Sequence, residues 1–258
     1  MQVLSAERRE LIEVFTGLRP AQFRRLVQAV KYRGGRALDP SRPGRPWALS
    51  LEDRVLLVAV YYRTNLTMRQ LAPLFGVSPA AAHRIIDRHS PLLALARTRR
   101  HPKADEIVIV DGTLVPTHDR SVAAPSKNYQ HSANLQILID AHTRLVLAIG
   151  KPLPGNRNDC QAFAESGIDT ACGDAIVLAD GAYRGTGTLI PHRRRPGQDL
   201  PDWQKDDNRS HRRVRARVEH AISRMKNWKI LRGCRRKGLA VYWAASGIAR
   251  MHNLALAN

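Results

Sequence analysis

Apolar residues recur every three or four positions near the start of the chain, a spacing typical of amphipathic helices. Residues 5–31 therefore predict two helices, separated at the Leu18-Arg19-Pro20 step. Residues 33–46 are rich in Gly, Pro and Arg and predict a basic loop. The apolar positions that define the two helices are Leu11, Ile12, Phe15 and Leu18, then Phe23, Leu26, Val27 and Val30.

Capping residues delimit further helices up to about residue 90. Ser50 precedes acids in a first helical turn and predicts a helix to about residue 62. Thr67 predicts the start of a short helix that Gly76 ends, and Ser78 with Pro79 starts another. This order is a helix-turn-helix pattern, although an ordinary helical hairpin at a dimer interface has the same order. The predicted buried contacts are Leu71, Ala72, Val77, Ile85 and Ile86.

Short apolar runs in the second half predict strands, and a link at 91–102 separates the halves. Three strands in meander, a helix and a parallel strand form an α/β order that resembles the ribonuclease-H-like fold, a mixed sheet flanked by helices. We therefore predict a helical domain at 1–100 and an α/β domain at 101–258. The predicted strands are 107–111, 113–118, 134–140, 145–150, 175–180 and a short one near 188–190; the predicted helices are 158–166, 210–231 and 239–256.

Three acids stand at chemically informative places in this order. Asp111 and Asp180 each follow an apolar run and are expected at the ends of neighbouring strands, and Glu219 lies on a predicted helix. Acids at a sheet edge are unfavourable unless a cation meets them, and a pair of divalent ions would do so. Taken singly, Asp111 and Asp180 are as well explained as turn caps in Asp-Gly steps. Gly112 and Gly181, which follow them, leave room for a phosphate backbone.

The predicted helix 210–231 carries Arg215, Glu219 and Lys226 along one side. An acid flanked by two cations suits a site that holds both Mg²⁺ and a phosphate backbone. The alternative is an ordinary Arg–Glu surface pair, which contributes little.

Charge points to a polyanionic partner. The net charge is +20, and residues 193–237 carry 16 Lys and Arg against 5 Asp and Glu, so more than half of the surplus surrounds Glu219. The three cysteines form no Cys-x-x-Cys pair, and no apolar run is long enough to span a bilayer. We expect a soluble cytoplasmic protein.

Several segments together resemble the insertion-sequence transposases of the DDE superfamily, in the insertion-sequence-five-like group. Residues 45–57 and 71–78 resemble the helix-turn-helix of that group. The segments similar to its catalytic part are Val110-Asp-Gly-Thr113, Pro154-Gly-Asn156 with Asp159, Leu178-Ala-Asp-Gly-Ala-Tyr-Arg-Gly185, and Arg215-Ala-Arg-Val-Glu219 with Lys226.

The resemblance implies roles for individual residues. Asp111, Asp180 and Glu219 would be catalytic ligands of two Mg²⁺ or Mn²⁺ ions, and Arg215 and Lys226 would hold phosphates of the element's ends. Arg212 stands where related transposases often have a tyrosine, and it is a further candidate for DNA contact.

Other positions keep two interpretations. Asp159 matches a recurrent acid of the group, but an N-cap for the next helix is the preferred interpretation. Lys127 and His131, in the polar segment 126–131, are candidates for DNA contact or an ordinary solvated turn. Arg84 is the best candidate for base or phosphate contact on the recognition helix, which would present Ser78, Ala80, Ala81, His83, Arg84 and Arg88.

The predicted function is a DNA transposase. It would bind double-stranded DNA at terminal inverted repeats, cleave phosphodiester bonds and join the 3′-hydroxyl ends to target DNA, as a homodimer when assembled on DNA. The alternatives are a metal-dependent nuclease that cuts without joining, and a DNA-binding protein with a decayed catalytic domain.

Overall fold

Helices form most of the N-terminal part of the chain. The structure, a computed structural model, describes residues 2–35, 46–95, 101–127, 129 and 131–257. The predicted loop 33–46, the predicted link 91–102 and the segment 126–131 lie partly outside these residues. The N-terminal helices are α1 (Arg9–Thr16), α2 (Pro20–Tyr32), α3 (Leu51–Thr64), α4 (Met68–Leu74) and α5 (Pro79–Leu93).

The predicted N-caps are confirmed. The Ser50 side chain accepts a hydrogen bond from Asp53 N, Thr67 from Gln70 N and Ser78 from Ala81 N. Gly76, at φ 64°, follows the end of α4 and reverses the chain before α5 begins at Pro79. These caps fix the helix-turn-helix geometry of α4 and α5.

The buried residues of α4 and α5 are those predicted, except that Phe75 is buried in place of Val77. Leu71, Ala72, Ile85 and Ile86 are buried, whereas Val77 is only half-buried. Phe75, at the end of α4, is buried and supplies the large side chain of this contact.

The chain divides into two compact units. A helical unit comprises Met1–Leu95, Lys226–Cys234 and Trp243–Asn258, and a sheet unit comprises Ala96–Met225 and Arg235–Tyr242. The predicted division into 1–100 and 101–258 placed the last helix with the sheet. In the structure, most of that helix, α9 (Ala240–Leu256), belongs to the helical unit.

Contacts inside the helical unit explain where α9 belongs. Leu95 N donates to the backbone and side-chain oxygens of Ser246, both at 3.0 Å. Gly247 lies so close to α3 and α5 that a Cβ there would stand 3.1 Å from Tyr62 and 3.5 Å from Leu93. A small residue is therefore required where α9 packs against these helices.

The sheet unit has the predicted ribonuclease-H-like order. The strand order is β3-β2-β1-β5, with β4 beside β2. β1 and β2 pair antiparallel, as do β2 and β3, whereas β5 pairs parallel with β1. The strands are β1 (Ile107–Pro116), β2 (Ser132–Asp140), β3 (Val146–Ile149), β4 (Leu153–Pro154) and β5 (Ile176–Leu178).

One face of this sheet packs on two short helices, α6 (Asp159–Glu165) and α7 (Ile168–Ala171). The core here includes Val108 and Val110 from β1 and Leu138 from β2. Phe163 and Tyr183 cover these residues with their rings in an edge-to-face contact, 5.9 Å between centroids.

Two predicted strands are corrected. Residues 107–111 and 113–118 form one strand, because the backbone of Asp111-Gly112 stays paired with β2 rather than turning. The strand expected near 188–190 is an isolated bridge between Leu189 and Leu178.

The predicted helix 210–231 is displaced: α8 spans Asp202–Met225. Its first turns carry the exposed ion pairs Lys205–Asp202 at 2.9 Å and Arg209–Asp206 at 2.7 Å, whose i, i+3 spacing favours a helix there. It ends before Trp228, which is buried beneath the Arg63 guanidinium (5.1 Å to the ring centroid) and starts a 3-10 turn at Lys229–Arg232.

Within the described residues, no helix is long and apolar enough to cross a bilayer.

Candidate active site

Parallel pairing of β1 with β5 places the first two predicted acids at matching positions. Ile109 lies opposite Leu178, and each acid comes two residues later, at Asp111 and Asp180. β5 ends at Leu178, but β1 continues and pairs Asp111 with Ile137 of β2. Asp111 therefore lies inside a strand, not at its end as predicted, so the turn-cap interpretation is wrong for this residue.

Asp180 does cap a turn. Its Oδ1 accepts a hydrogen bond from Ala182 N at 2.8 Å, at the start of the 3-10 turn Gly181–Tyr183. This contact occupies one carboxylate oxygen, so capping and metal ligation are compatible at Asp180. A Cβ added at Gly181 would meet nothing within 4 Å, in keeping with the expected room for a phosphate backbone.

Glu219 meets Asp111 through an arginine of its own helix. The Arg215 guanidinium bonds the Glu219 carboxylate and lies 3.6 Å from Asp111 Oδ2. The side chains of Asp111 and Arg215 are about one-fifth exposed (19% and 21%), whereas that of Glu219 is half exposed (50%). The Arg–Glu pair considered as an alternative is present, but its arginine also reaches an acid of the sheet.

Electrostatics around Asp111 are unfavourable to its charge. Burial raises the pKa of Asp111 from its ordinary 3.8 to about 6. Arg215 opposes this rise, while the negative charges of Asp180 and Asp159 add to it. Asp111 therefore lies in a cluster of carboxylates that one guanidinium does not neutralise.

Carboxylate oxygens are the ligands that Mg²⁺ and Mn²⁺ prefer, so the donors and the uncompensated charge fit a divalent cation. As the side chains stand, however, the described residues contain no group of three His, Cys, Asp or Glu that could hold a metal ion. Since Arg215 lies between Asp111 and Glu219, joint ligation by these two acids requires this guanidinium to move.

Two further predicted residues lie on or next to α8. Lys226 is the first residue after the helix and is grouped with the helical unit, so of the predicted line Arg215–Glu219–Lys226 only Arg215 and Glu219 lie within α8. Arg212 is exposed on α8, where its Nε donates to Asn208 O of the same helix at 3.2 Å.

Of the candidate DNA contacts outside α8, Arg84 and Lys127 are exposed, whereas His131 and Lys226 are half-buried. Arg84 is exposed on α5, while Ile85 and Ile86 beside it face inward as predicted. His83, also exposed, pairs with Asp87 at 2.9 Å. Lys127 is exposed between β1 and β2.

Asp159 does not have the preferred role of N-cap. The N-cap of α6 is Asn158, whose side chain accepts from Gln161 N at 2.9 Å. The Asp159 carboxylate instead accepts from the side-chain amides of Asn134 (3.2 Å) and Gln136 (3.0 Å) of β2.

The same contacts correct the role given to Gly112. A Cβ at Gly112 would lie 2.5 Å from Asp159 Oδ1, so this acid, not a phosphate, fills the space above the glycine. Sequence reasoning missed Asn134, Gln136 and Tyr183 around it. A usable signal was present, because Asn134 and Gln136 are polar residues at alternate positions of a predicted buried strand.

Comparisons with known proteins agree with this architecture. Residues 102–254 match a family model described as a transposase DDE domain, and residues 47–98 match one described as a helix-turn-helix of DDE superfamily endonuclease. The chain is 58% identical, over 98% of both chains, to a putative transposase for insertion sequence element IS112 from Streptomyces albus G. It is 27% identical to a probable transposase for insertion sequence element IS702 from Microchaete diplosiphon, over 74% of this chain and 75% of that one. No solved structure matches significantly. The sheet order, the helix-turn-helix and these matches together show that the chain belongs to the DDE transposase family.

Proposed function

We propose that this protein cuts the ends of an insertion sequence and joins them to target DNA, with Asp111, Asp180 and Glu219 as the catalytic acids. The observation that carries the proposal is the register of β1 and β5, which gives Asp111 and Asp180 matching positions, together with the link from Asp111 to Glu219 through Arg215. A turn cap or a surface ion pair would explain one acid but not this combination.

Membership of the DDE family implies dependence on divalent metal ions in general. The finer proposal is two Mg²⁺ or Mn²⁺ ions, held by oxygens of Asp111, Asp180 and Glu219. Bound at these carboxylates, the ions would supply charge stabilisation for the attacking and leaving oxygens of a phosphodiester displacement.

The chain's own residues have distinct tasks in this proposal. The three acids hold the metals, and water attacks the phosphorus at the element's end, so that the 3′-oxygen leaves and takes up a proton. That 3′-hydroxyl then attacks a target phosphorus in line and displaces the target's 3′-oxygen, while its own proton passes to solvent. Cleavage exchanges the displaced 3′-oxygen for the oxygen of water, and joining forms one phosphodiester bond as it breaks another, so no covalent protein intermediate is required.

DNA is held by cations of both units. Arg215 and Arg212 on α8, with Lys127 of the sheet unit, would contact backbone phosphates, and Lys226 is a further candidate in the helical unit. Arg84, exposed on α5, would reach the terminal inverted repeat. Pairing of two ends implies a homodimer on DNA. Within each chain, residues 1–100 would form the DNA-binding domain and residues 101–258 the catalytic domain.

A cleavage and strand-transfer assay tests the proposal. The substrate is a labelled duplex that carries the DNA flanking the gene, where the terminal inverted repeats are expected, with supercoiled plasmid as target and Mg²⁺ or Mn²⁺ added. We expect wild-type protein to release a 3′-hydroxyl end and join it to the plasmid, and Asp180→Ala to do neither while still binding the duplex. Asp169→Ala, which changes an exposed acid on α7, is the matched control and retains activity.

Two outcomes contradict the proposal. If the wild type binds the duplex but leaves it intact with either metal, the protein is a DNA-binding protein with a decayed catalytic domain. If it cuts but never joins the ends, it is a nuclease of the same fold.

A further inference from the structure

The space above Gly112 is filled by side chains rather than by solvent. A Cβ there would lie 2.5 Å from Asp159 Oδ1 and 2.8 Å from Gln136 Nε2. The backbone of Gly112 is outside the left-handed region, so conformation alone does not require a glycine. What requires it is the close approach of Asp159 to the strand, one residue after Asp111.

Two amides hold Asp159 in this place. Gln136 Nε2 donates to Asp159 Oδ1 at 3.0 Å and Asn134 Nδ2 donates to the same oxygen at 3.2 Å. Gln136 Nε2 also donates to Asn134 Oδ1 at 3.0 Å, and both amide residues are buried (Gln136 0%, Asn134 5% exposed). Hydrogen bonds in such a setting are strong and geometrically demanding.

Tyr183 extends the network to the second acid. Its ring is fully buried, and its hydroxyl donates to Gln136 Oε1. Tyr183 ends the 3-10 turn that the Asp180 side chain caps. The pKa of Tyr183 lies well above its usual range because of burial, and the nearby charges of Asp159, Asp111 and Asp180 add to the shift. One hydrogen-bonded chain thus runs from Asp159, which lies against Gly112 of the Asp111 strand, through Gln136 to the turn of Asp180.

We infer that Asp159 is a positioning residue, which fixes the Asp111 and Asp180 carboxylates relative to each other through its contact with Gly112 and through Gln136, which donates to Asp159 and accepts from the Tyr183 hydroxyl. The inference rests on the proposed function, in which these two acids hold metal. Helix capping does not account for Asp159, because Asn158 caps α6. Acids that share an ion must keep their separation to within about half an ångström.

Substitutions of Asp159 separate positioning from ligation. Asp159→Ala removes the acceptor of both amides, whereas Asp159→Asn keeps an oxygen at Oδ1 and removes the charge. We expect Asp159→Ala to weaken Mn²⁺ binding about ten- to a hundredfold and Asp159→Asn to retain most of the wild-type affinity. The full chain is titrated with Mn²⁺ alone by calorimetry or electron paramagnetic resonance, with thermal unfolding in EDTA as a check on the fold.

Each result has a defined meaning. Wild-type affinity in Asp159→Ala overturns the inference, because the site then does not need the residue. Equal losses in Asp159→Ala and Asp159→Asn overturn it too, because the carboxylate would act by charge or as a ligand. Asp169→Asn, an exposed acid of α7, is the matched control and leaves Mn²⁺ binding unchanged.

Tyr183→Phe keeps the inference testable if Asp159→Ala does not fold. It removes only the hydroxyl that bonds Gln136, so the fold is expected to persist while Mn²⁺ affinity falls severalfold. Wild-type Mn²⁺ affinity in folded Tyr183→Phe contradicts the proposed chain of contacts.

Gly112 provides an independent test through compensation. Gly112→Ala brings a methyl group against Asp159 and is expected to weaken Mn²⁺ binding more than tenfold. Adding Asp159→Ala removes the nearer of the two close contacts, while Gln136 Nε2 at 2.8 Å remains, so the double variant should lose less Mn²⁺ affinity than the two single losses combined. If the losses of the two single variants simply add, Asp159 does not act through Gly112.

Wild type and Asp180→Ala, titrated with Mn²⁺ in the same way, separate a failure of the proposed metal site from a failure of the inference about Asp159. If the wild type binds no Mn²⁺, or Asp180→Ala binds it equally well, the proposed metal site fails. If Asp180→Ala abolishes binding while Asp159→Ala leaves it unchanged, only the inference about Asp159 fails.

Discussion

At the scale of single residues, burial of the Asp111 carboxyl lowers the free energy of unfolding wherever this group is ionised. The carboxyl releases its proton at about pH 6 in the folded protein, against an ordinary 3.8. Between these values the folded state holds more protons than the unfolded state, so the free energy of unfolding falls as pH rises. The fall ends near pH 6 and amounts to about 3 kcal/mol.

Asp111→Asn removes this destabilisation. We expect the variant in EDTA to be more stable than wild type by up to about 3 kcal/mol at pH 8, with the two alike near pH 4. Urea unfolding across this pH range measures the difference, and cleavage by the variant should be lost. A variant that is less stable at both pH values would mean that the ion pair with Arg215 outweighs burial. Asp169→Asn serves as the exposed control.

At the scale of elements, the sequence predicted those features that depend on residues close together in the chain, such as helix starts. Ser50, Thr67 and Ser78 determine helix starts by bonds to residues three positions away, so these starts were predictable. The Asp111-Gly112 step has turn chemistry, but pairing with Ile137 and Gln136 of β2 keeps it extended. Neither this pairing nor the contact between Asp159 and Gly112 could be predicted from the local residue pattern, because both join residues that are distant in the sequence.

We propose that Arg215 of helix α8 links the candidate metal site to DNA. In the structure this guanidinium contacts Asp111 and Glu219, so under this proposal it would bind a phosphate only when other cations balance these acids. With Ca²⁺ as a non-cleaving substitute, we expect Arg215→Ala to bind end DNA more weakly and with a logarithmic salt slope shallower by about 0.9. In EDTA, the salt slopes of Arg215→Ala and of the wild type should agree. Fluorescence anisotropy between about 50 and 300 mM salt measures the salt slopes in Ca²⁺ and in EDTA.

A matched substitution on the same helix guards against a general effect of charge. Arg209 is exposed and pairs with Asp206 of its own helix, so Arg209→Ala should leave the difference between Ca²⁺ and EDTA unchanged. An Arg215→Ala slope that is unchanged in both conditions would contradict a phosphate contact.

At the scale of the whole molecule, the two units are not two consecutive pieces of chain. The sheet unit interrupts the helical unit, which regains residues 226–234 and 243–258 after α8. Sequence reasoning separated the halves at the change from helical to strand periodicity near residue 100. The return of α9 was not predictable from its own apolar pattern, because the pattern gives a buried face but not its partner.

This interleaving predicts the behaviour of fragments. A fragment of residues 1–100 lacks α9, whose Ala245 and Ala249 are fully buried, and it lacks Trp228 beneath Arg63. We expect the fragment alone to lose cooperative thermal unfolding, and a synthetic peptide of residues 226–258 to restore it, as followed by circular dichroism. The same peptide with Ala245→Asp and Ala249→Asp should fail, because it would bury two charges. If the fragment alone unfolds as cooperatively as it does with the peptide, the helical unit does not depend on the chain's return, and 1–100 is a domain in its own right.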